Sequence, residues 1–109
     1  MKKKKALITF SAATYEEVVK VGGIRVASSL LAEENMHYTY TGAMLLANLA
    51  AKEEAIPQLI EARAYAPLMD WLVRTQDSKV PQFETKRHVI RALRSLYVSV
   101  MPLLWAGGI

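Results

Sequence analysis

Arg87 and Arg91 are the residues of this 109-residue chain whose type and spacing most clearly suggest chemistry. They are four residues apart, so on a helix both guanidinium groups lie on one face. A guanidinium can hold a carboxylate through two parallel hydrogen bonds. The spacing therefore predicts a surface that binds an acidic segment of a partner.

Residues typical of enzyme or metal sites do not form a recognisable pattern. The chain has no cysteine, which excludes disulfides, zinc–thiolate clusters and thiol nucleophiles. His37 and His88 have no neighbouring carboxylate or cysteine with ligand spacing. Glutamate pairs at 16–17, 33–34 and 53–54 fall at predicted helix starts or loops, where the helix dipole favours acids. We predict no catalytic, cofactor or metal site, and no enzyme activity.

Positive charge is concentrated at the start of the chain. Fourteen basic and ten acidic residues give a net charge of +4, and Lys2 to Lys5 hold four of the positive charges. The rest is near neutral, so overall charge does not by itself indicate nucleic acid. The lysine run is typical of a solvated tail, with binding to phosphate or acidic lipid as the alternative.

The first fourteen residues, MKKKKALITFSAAT, resemble a targeting sequence only superficially. Thr9 and Ser11 interrupt an apolar part that is too short for a secretory signal. We expect an intracellular, cytoplasmic protein, with mitochondrial import as the alternative. The uncharged stretch Ser95 to Ile109 is shorter than the roughly 20 residues that cross a bilayer, so no transmembrane helix is expected.

A repeat of about forty residues organises the chain. The segment VGGIRVASSLL, which starts at Val21, aligns with ARAYAPLMDWL, which starts 41 residues later at Ala62. Near the end, residues 106–109 restate the VGGI of residues 21–24. Periods of about 40 to 47 residues are typical of solenoid units built from two or three helices.

Each unit is predicted to contain three helices. In the first unit they span Tyr15 to Val21, Ile24 to Leu31 and about Met36 to Ala51. In the second they span Ala55 to Ala62, Ala66 to Val73 and about Glu84 to Val98. Gly22-Gly23 ends the first helix, Asn35 caps the third, and a polar loop follows Arg74. Apolar spacing places on the core side Tyr38, Gly42, Leu45, Leu46, Leu49, Val89, Leu93 and Leu96.

Two segments, GAMLLANLA (42–50) and IPQLIEARAYAPLMDWL (56–72), resemble armadillo repeats. The resemblance implies an all-α, right-handed superhelix, an α-solenoid fragment of about two full repeats plus partial terminal repeats. The single domain 1–109 would contain units 1–14 (partial), 15–51, 52–98 and 99–109 (partial). HEAT repeats are the main alternative, and the glycine-pair turn favours armadillo. Arg63 replaces the glycine of the second turn, so we expect that bend to be adjusted.

In peptide-binding members of this family, the long helices line a concave groove that carries an asparagine and, four residues earlier, a tryptophan. Asn48 keeps the asparagine, and Met44 stands at the tryptophan position. Ser95 and Arg91 occupy these positions in the next unit, and Thr9 and Lys5 in the preceding one, so a regular peptide-binding ladder is not expected. The predicted partner-binding residues of the concave face are His37, Tyr40, Met44, Asn48, Arg87, Arg91 and Ser95.

The ends of the array are predicted to be interfaces, because repeats bury their apolar faces only against neighbours. The residues concerned are Leu7, Ile8, Phe10, Leu103, Leu104, Trp105 and Ile109. The sequence thus predicts a protein–protein interaction scaffold or a structural subunit of a larger assembly, with self-association possible through uncapped ends. The alternative is a nucleic-acid-associated helical repeat that uses Lys2 to Lys5, Lys86, Arg87, Arg91 and Arg94.

Overall fold

The computed structural model describes the backbone of residues 12–108 and the side chains of residues 16–101. Over this range the chain folds into α-helices and contains no strand, which confirms the predicted all-α class for that part. The helices are α1 (Ala12–Lys20), α2 (Gly23–Leu31), α3 (Met36–Ala50), α4 (Ile56–Glu61), α5 (Tyr65–Arg74) and α6 (Phe83–Gly108), with a 3₁₀ turn at Glu53–Ala55 before α4.

Gly22 and Gly23 make the turn between α1 and α2, as predicted. Gly22 adopts a left-handed conformation with φ 81°, which glycine reaches without a steric penalty. Gly23 begins α2 against the preceding helix, and a Cβ there would lie 2.3 Å from Cγ1 of Val18 and 2.5 Å from its carbonyl oxygen. The first glycine therefore supplies a backbone angle, and the second permits close approach.

The bend between α4 and α5 keeps the left-handed residue of the first bend but is longer, so the adjustment expected at Arg63 is found in part. Arg63 keeps a left-handed angle, φ 56°. Its N–H donates to the carbonyl of Ile60 at 3.0 Å, and the N–H of Gly22 donates to the carbonyl of Val19 at 3.1 Å. The two turns thus share the left-handed residue and the hydrogen bond that its N–H donates. They differ afterwards, because the carbonyl of Gly22 accepts from the N–H of Val26, whereas the carbonyl of Arg63 accepts from the N–H of Ala66.

Helix α3 begins at a side-chain cap and packs between α2 and α6. The Oδ1 of Asn35 accepts from the N–H groups of His37 at 2.8 Å and Tyr38 at 3.2 Å, which satisfies two of the free donors of the first turn. At Gly42 a Cβ would lie 2.5 Å from the carbonyl oxygen of Ala27 and 2.8 Å from the backbone nitrogen of Leu31. Helix α2 therefore crosses α3 backbone against backbone at Gly42.

The core runs along the helix interfaces and contains most of the residues that the apolar spacing predicts. Leu46, Leu49, Val89 and Leu96 are buried, while Leu45 and Leu93 pack partly buried against the core. The prediction that Tyr38 lies on the core side is wrong, since the residue is 51% exposed. The next residue of the first turn takes the inward position, so the core-facing side of α3 begins at Thr39, which is 3% exposed.

The last helix is longer than predicted. It starts at Phe83 but, instead of ending near Val98, continues through Pro102 to Gly108. From Val98 to Ala106 the sequence holds no glycine or asparagine that would end a helix. Pro102 removes one backbone donor and crowds the preceding turn, but the helix continues past it. Gly107 and Gly108 therefore belong to α6, and the expected repeat of the residue 21–24 turn is not formed there. No helix in the part of the chain that is described is both long and apolar enough to cross a membrane.

Candidate functional site

A polar cluster joins α3 to α6 at the face that the sequence assigns to partner binding. The guanidinium Nη2 of Arg91 donates to the Oδ1 of Asn48 at 3.3 Å. The same nitrogen lies 3.0 Å from Nδ1 of His88. The ring of Tyr40 meets the His88 ring edge to face, with centroids 5.3 Å apart and an angle of 67° between the ring planes. We call these four residues the Arg91 cluster.

Helix geometry explains how the sequence assembles the Arg91 cluster. Tyr40, Met44 and Asn48 follow one another at four-residue steps, so they form a row along α3. His88 and Arg91 are three residues apart and share one face of α6. Because α3 and α6 pack along their lengths, the two rows meet, and side chains 43 residues apart in sequence come into hydrogen-bond contact.

His88 is a neutral acceptor in this arrangement. Partial burial is the largest cause that lowers its pKa below 6.5, followed by the positive charges of Arg91 and Arg87; Glu84 opposes the shift. Arg91 can only donate, so Nδ1 accepts and the ring proton resides on Nε2. A protonated His88 would place two cations 3.0 Å apart.

Arg87 and Arg91 both lie exposed on α6, but their surroundings differ. Arg87 forms a 2.6 Å ion pair with Glu84, three residues earlier, and both side chains are well exposed. Such a surface pair contributes little and exchanges readily with solvent. Arg91 is held by two neutral groups from two helices. Within residues 16–101 it forms no ion pair with a carboxylate.

The other predicted site residues lie outside the Arg91 cluster. Met44 and Ser95 are half-buried on α3 and α6. His37 is exposed in the first turn of α3, where its N–H donates to Asn35 and its carbonyl accepts from the Thr41 hydroxyl. The structure thus assembles Tyr40, Asn48 and Arg91 and leaves His37 at the margin.

His88 is the functional candidate that reasoning from the sequence missed. The sequence suggests a metal-ligand or general-base role for His88, and no neighbouring cysteine or carboxylate ligand pattern supports either role. Its position three residues before Arg91 was the available signal, because that spacing places both on one helix face. Among residues 16–101, no three His, Cys, Asp or Glu side chains are grouped as they would be around a metal ion.

The predicted terminal interface lies outside the described side chains. Leu7, Ile8, Phe10 and Ile109 fall outside residues 12–108, as do Thr9 and the run Lys2 to Lys5. Leu103, Leu104 and Trp105 belong to α6, but their side chains are not described. The terminal interface remains a prediction.

Comparison with known proteins adds no relative from which a function could be carried over. No family model, curated protein or solved structure matches the chain. The functional argument therefore rests on the chemistry of the site. The Arg91 cluster presents a guanidinium held by Asn48 and His88, with the Tyr40 ring packed on His88. This arrangement suits recognition of a carboxylate beside an apolar group.

Proposed function

We propose that this chain is an armadillo-like helical-repeat module that binds a protein partner, as a scaffold or as a subunit of a larger assembly. The recurrence of a left-handed residue between two helices, at Gly22 and again at Arg63, supports a structural repeat. Repeat proteins of this kind present extended surfaces along their long helices. The Arg91 cluster lies between the two long helices α3 and α6, which makes it the centre of the proposed binding surface.

The positioning of Arg91 is the observation that carries the proposal. Two neutral acceptors fix the guanidinium, so little side-chain entropy remains to be lost when a ligand binds. A guanidinium has five N–H donors, and the contacts with Asn48 and His88 both involve Nη2. Tyr40 and Met44 lie in the adjacent row and offer apolar contact. The ligand proposed is an extended segment with a carboxylate followed by an apolar side chain.

Peptide binding to charge-reversed variants tests this function. The probe is an array of extended peptides that differ in their number of Asp and Glu residues. Replacing both Arg87 and Arg91 by Glu should reduce binding to the acidic peptides at least about tenfold, while leaving the melting temperature nearly unchanged, because exposed charges contribute little to folding. Arg25→Glu, at an exposed arginine of α2, is the matched control. Equal binding by the double variant and the wild type would reject the proposal.

Assembly through the chain ends is a separate part of the proposal. Uncovered apolar surface at the end of a repeat array favours contact with a neighbour. Light scattering over a range of concentrations, on the wild type and on Trp105→Asp, tests it. A concentration-dependent mass that Trp105→Asp reduces is the expected result. A monomer at every concentration, with stability indifferent to Trp105→Asp, would show that this end needs no partner.

Nucleic-acid binding is the second candidate, and the charge of α6 favours it. The helix carries Lys86, Arg87, Arg91 and Arg94 against one carboxylate, Glu84. Exposed aromatic side chains near such a surface can stack on unpaired bases, and Phe83 and Tyr97 are exposed on the same helix. Binding of this kind would weaken steeply as salt is raised. A salt titration with single-stranded oligothymidylate therefore separates the two functions.

A further inference from the structure

One exposed side of α6 carries both charge and apolar groups. Phe83, Ile90 and Tyr97 are 77%, 48% and 60% exposed. Lys86 and Arg94 are exposed between them. We call these five residues the α6 outer face. Phe83, Lys86, Ile90 and Arg94 line a shallow cleft of about 510 Å³ together with Arg87 and Arg91.

The equivalent face of α3 has the opposite character. Forty-seven residues before Lys86, Ile90, Arg94 and Tyr97 stand, in order, Thr39, Ala43, Ala47 and Ala50. All four earlier residues are buried, and the row lies beside Tyr40, which contacts His88 of α6. Small residues at these positions allow a neighbouring helix to approach closely. The small residues of α3 thus suit this face to being covered by a neighbouring helix. Helix α6 carries larger side chains, two of them charged, at the same positions.

A helix could not pack on the α6 outer face as closely as α6 packs on α3. Burying Lys86 or Arg94 without a carboxylate would leave an unpaired charge at high free-energy cost. The exposed apolar side chains still favour removal from water. The face therefore suits an occupant that brings its own carboxylates to the basic side chains and its own apolar groups to Ile90.

The spacing of the face indicates the shape of that occupant. Phe83, Ile90 and Tyr97 follow one another at intervals of seven residues. This is the heptad spacing of the apolar residues by which two helices pack along their length. At about 1.5 Å per residue, the row spans roughly 21 Å, or about four turns of a partner helix. Basic residues beside the row occupy the flanking positions that select a partner by charge in paired helices.

We propose that the α6 outer face binds an acidic amphipathic helix of a protein partner, with apolar residues at heptad spacing and carboxylates on its flanks. This inference rests on the proposed protein-binding function and names the class of partner. A second copy of this chain is disfavoured on the same face, because like charges at Lys86 and Arg94 would be brought together. The single carboxylate of α6 up to Met101, Glu84, already pairs with Arg87.

Fluorescence anisotropy with designed peptides tests the proposal on the full chain. The probe is a side-chain-stapled helix of about three heptads, with Leu on the seam and Glu on the flanks. Three comparison ligands are the same helix with Lys in place of Glu, a scrambled peptide of identical composition, and single-stranded oligothymidylate. Only the acidic heptad helix should bind well.

Two single variants and one double variant locate the contact. Ile90→Asp and Arg94→Glu should each weaken the binding of the acidic helix at least about tenfold. Lys86→Glu with Arg94→Glu should reverse the preference and bind the lysine helix instead. All three positions are exposed, so circular dichroism melts should remain close to those of the wild type, and Arg25→Glu on α2 serves as the charge-matched control.

Met44→Glu separates this inference from the proposed function. Met44 lies between Tyr40 and Asn48 in their row along α3, whereas the outer face belongs to α6. Its replacement should therefore weaken the binding of extended acidic peptides and leave the binding of the stapled helix unchanged. Equal affinity for the scrambled peptide or for oligothymidylate would overturn the inference, and so would an absence of binding by the acidic helix. If the wild type binds the acidic helix but does not bind extended acidic peptides, the Arg91 surface is rejected and the helix site stands.

Discussion

Gly22 and Arg63 stand 41 residues apart and hold the backbone in the same left-handed region, with φ angles of 81° and 56°. Gly22 directly precedes the first residue of α2, and Arg63 lies two residues before the first residue of α5. Glycine meets this requirement without penalty, whereas a residue with a Cβ is strained there. The surrounding packing therefore imposes the turn on Arg63, and this position is a reserve of local strain.

Replacement of Arg63 by Gly should accordingly stabilise the fold. The left-handed conformation costs a residue with a Cβ about 1–2 kcal/mol, and the added flexibility of glycine in the unfolded chain offsets part of the gain. The expected change in the free energy of unfolding is an increase of up to about 1 kcal/mol. Urea denaturation measures it. Gly22→Ala is the reciprocal variant and should destabilise the fold by about 1 kcal/mol through the left-handed backbone angle. No steric clash adds to this cost, because a Cβ at Gly22 would meet no atom within 4 Å.

Gly42→Ala should destabilise the protein, against the usual trend. In a helix interior this change normally stabilises by about 0.5–1 kcal/mol. Here the new methyl group would lie 2.5 Å from the carbonyl oxygen of Ala27, so α2 and α3 must separate. A net loss of about 1–3 kcal/mol is expected from thermal or urea unfolding. An increase in stability would show that α2 does not cross α3 at this point.

Leu46→Ala should be among the most damaging core substitutions. Leu46 is almost fully buried in the interior of α3, and its truncation leaves a cavity that the neighbouring helices fill only in part. The expected loss is about 2–5 kcal/mol. Val73→Ala, on the exposed side of α5, is the control and should change the free energy of unfolding by less than about 0.5 kcal/mol. Similar effects of the two variants would mean that the register of α3 is wrong.

Arg74 links the ends of α2 and α5 and offers a fourth test. Its Nη2 donates to the carbonyl of Leu31 at 2.8 Å, while its Nε donates to Asp70 at 3.0 Å. A cation at the last carbonyls of a helix also interacts favourably with the helix dipole. Arg74→Ala should cost about 1–2 kcal/mol in urea unfolding. Arg74→Lys should restore less than half of that, since lysine lacks the planar fork; full restoration would show that charge alone matters.

The sequence predicted the fold where local rules dominate. Apolar spacing predicted the positions of the helices and the burial of Leu46. The capping preference of Asn35 predicted where α3 begins. The prediction failed where tertiary packing overrides local preference, as at Arg63, whose left-handed angle no side-chain rule favours. It also misjudged the length of α6, which continues through Pro102 to Gly108 instead of ending near Val98. These errors concern connections between elements more than the elements themselves.

The candidate site was predictable only in part. The row of Tyr40, Met44 and Asn48 followed from helical periodicity, and Arg91 followed from its spacing with Arg87. Which side chains of α6 meet that row depends on the offset between two helices, and one sequence does not encode this offset in any local pattern. For this reason His88 was missed, although it lies in contact with Arg91.

Acidification should weaken the Arg91 cluster through His88. The pKa of His88 is lowered in the folded protein, so the unfolded chain binds more protons as pH falls below about 6.5. The stabilisation that neutral His88 provides is therefore fully present above that pH and is lost as pH falls towards the folded pKa. The charges that act on the ring are Arg91 and Arg87, which lower its pKa, and Glu84, which raises it. Tyr40 packs on the ring from α3 without charge.

His88→Asn is the variant that isolates this titration. An asparagine Oδ1 can accept from Arg91 much as Nδ1 does, but it does not take up a proton between about pH 5.5 and 8. The free energy of unfolding of the wild type should fall as pH is lowered below about 6.5, and that of His88→Asn should fall less. Binding of an acidic peptide at the Arg91 cluster gives an independent readout, because a protonated His88 repels Arg91 and displaces the guanidinium from its fixed position. Parallel pH profiles for the two proteins, in both stability and binding, would show that His88 does not control the orientation of Arg91.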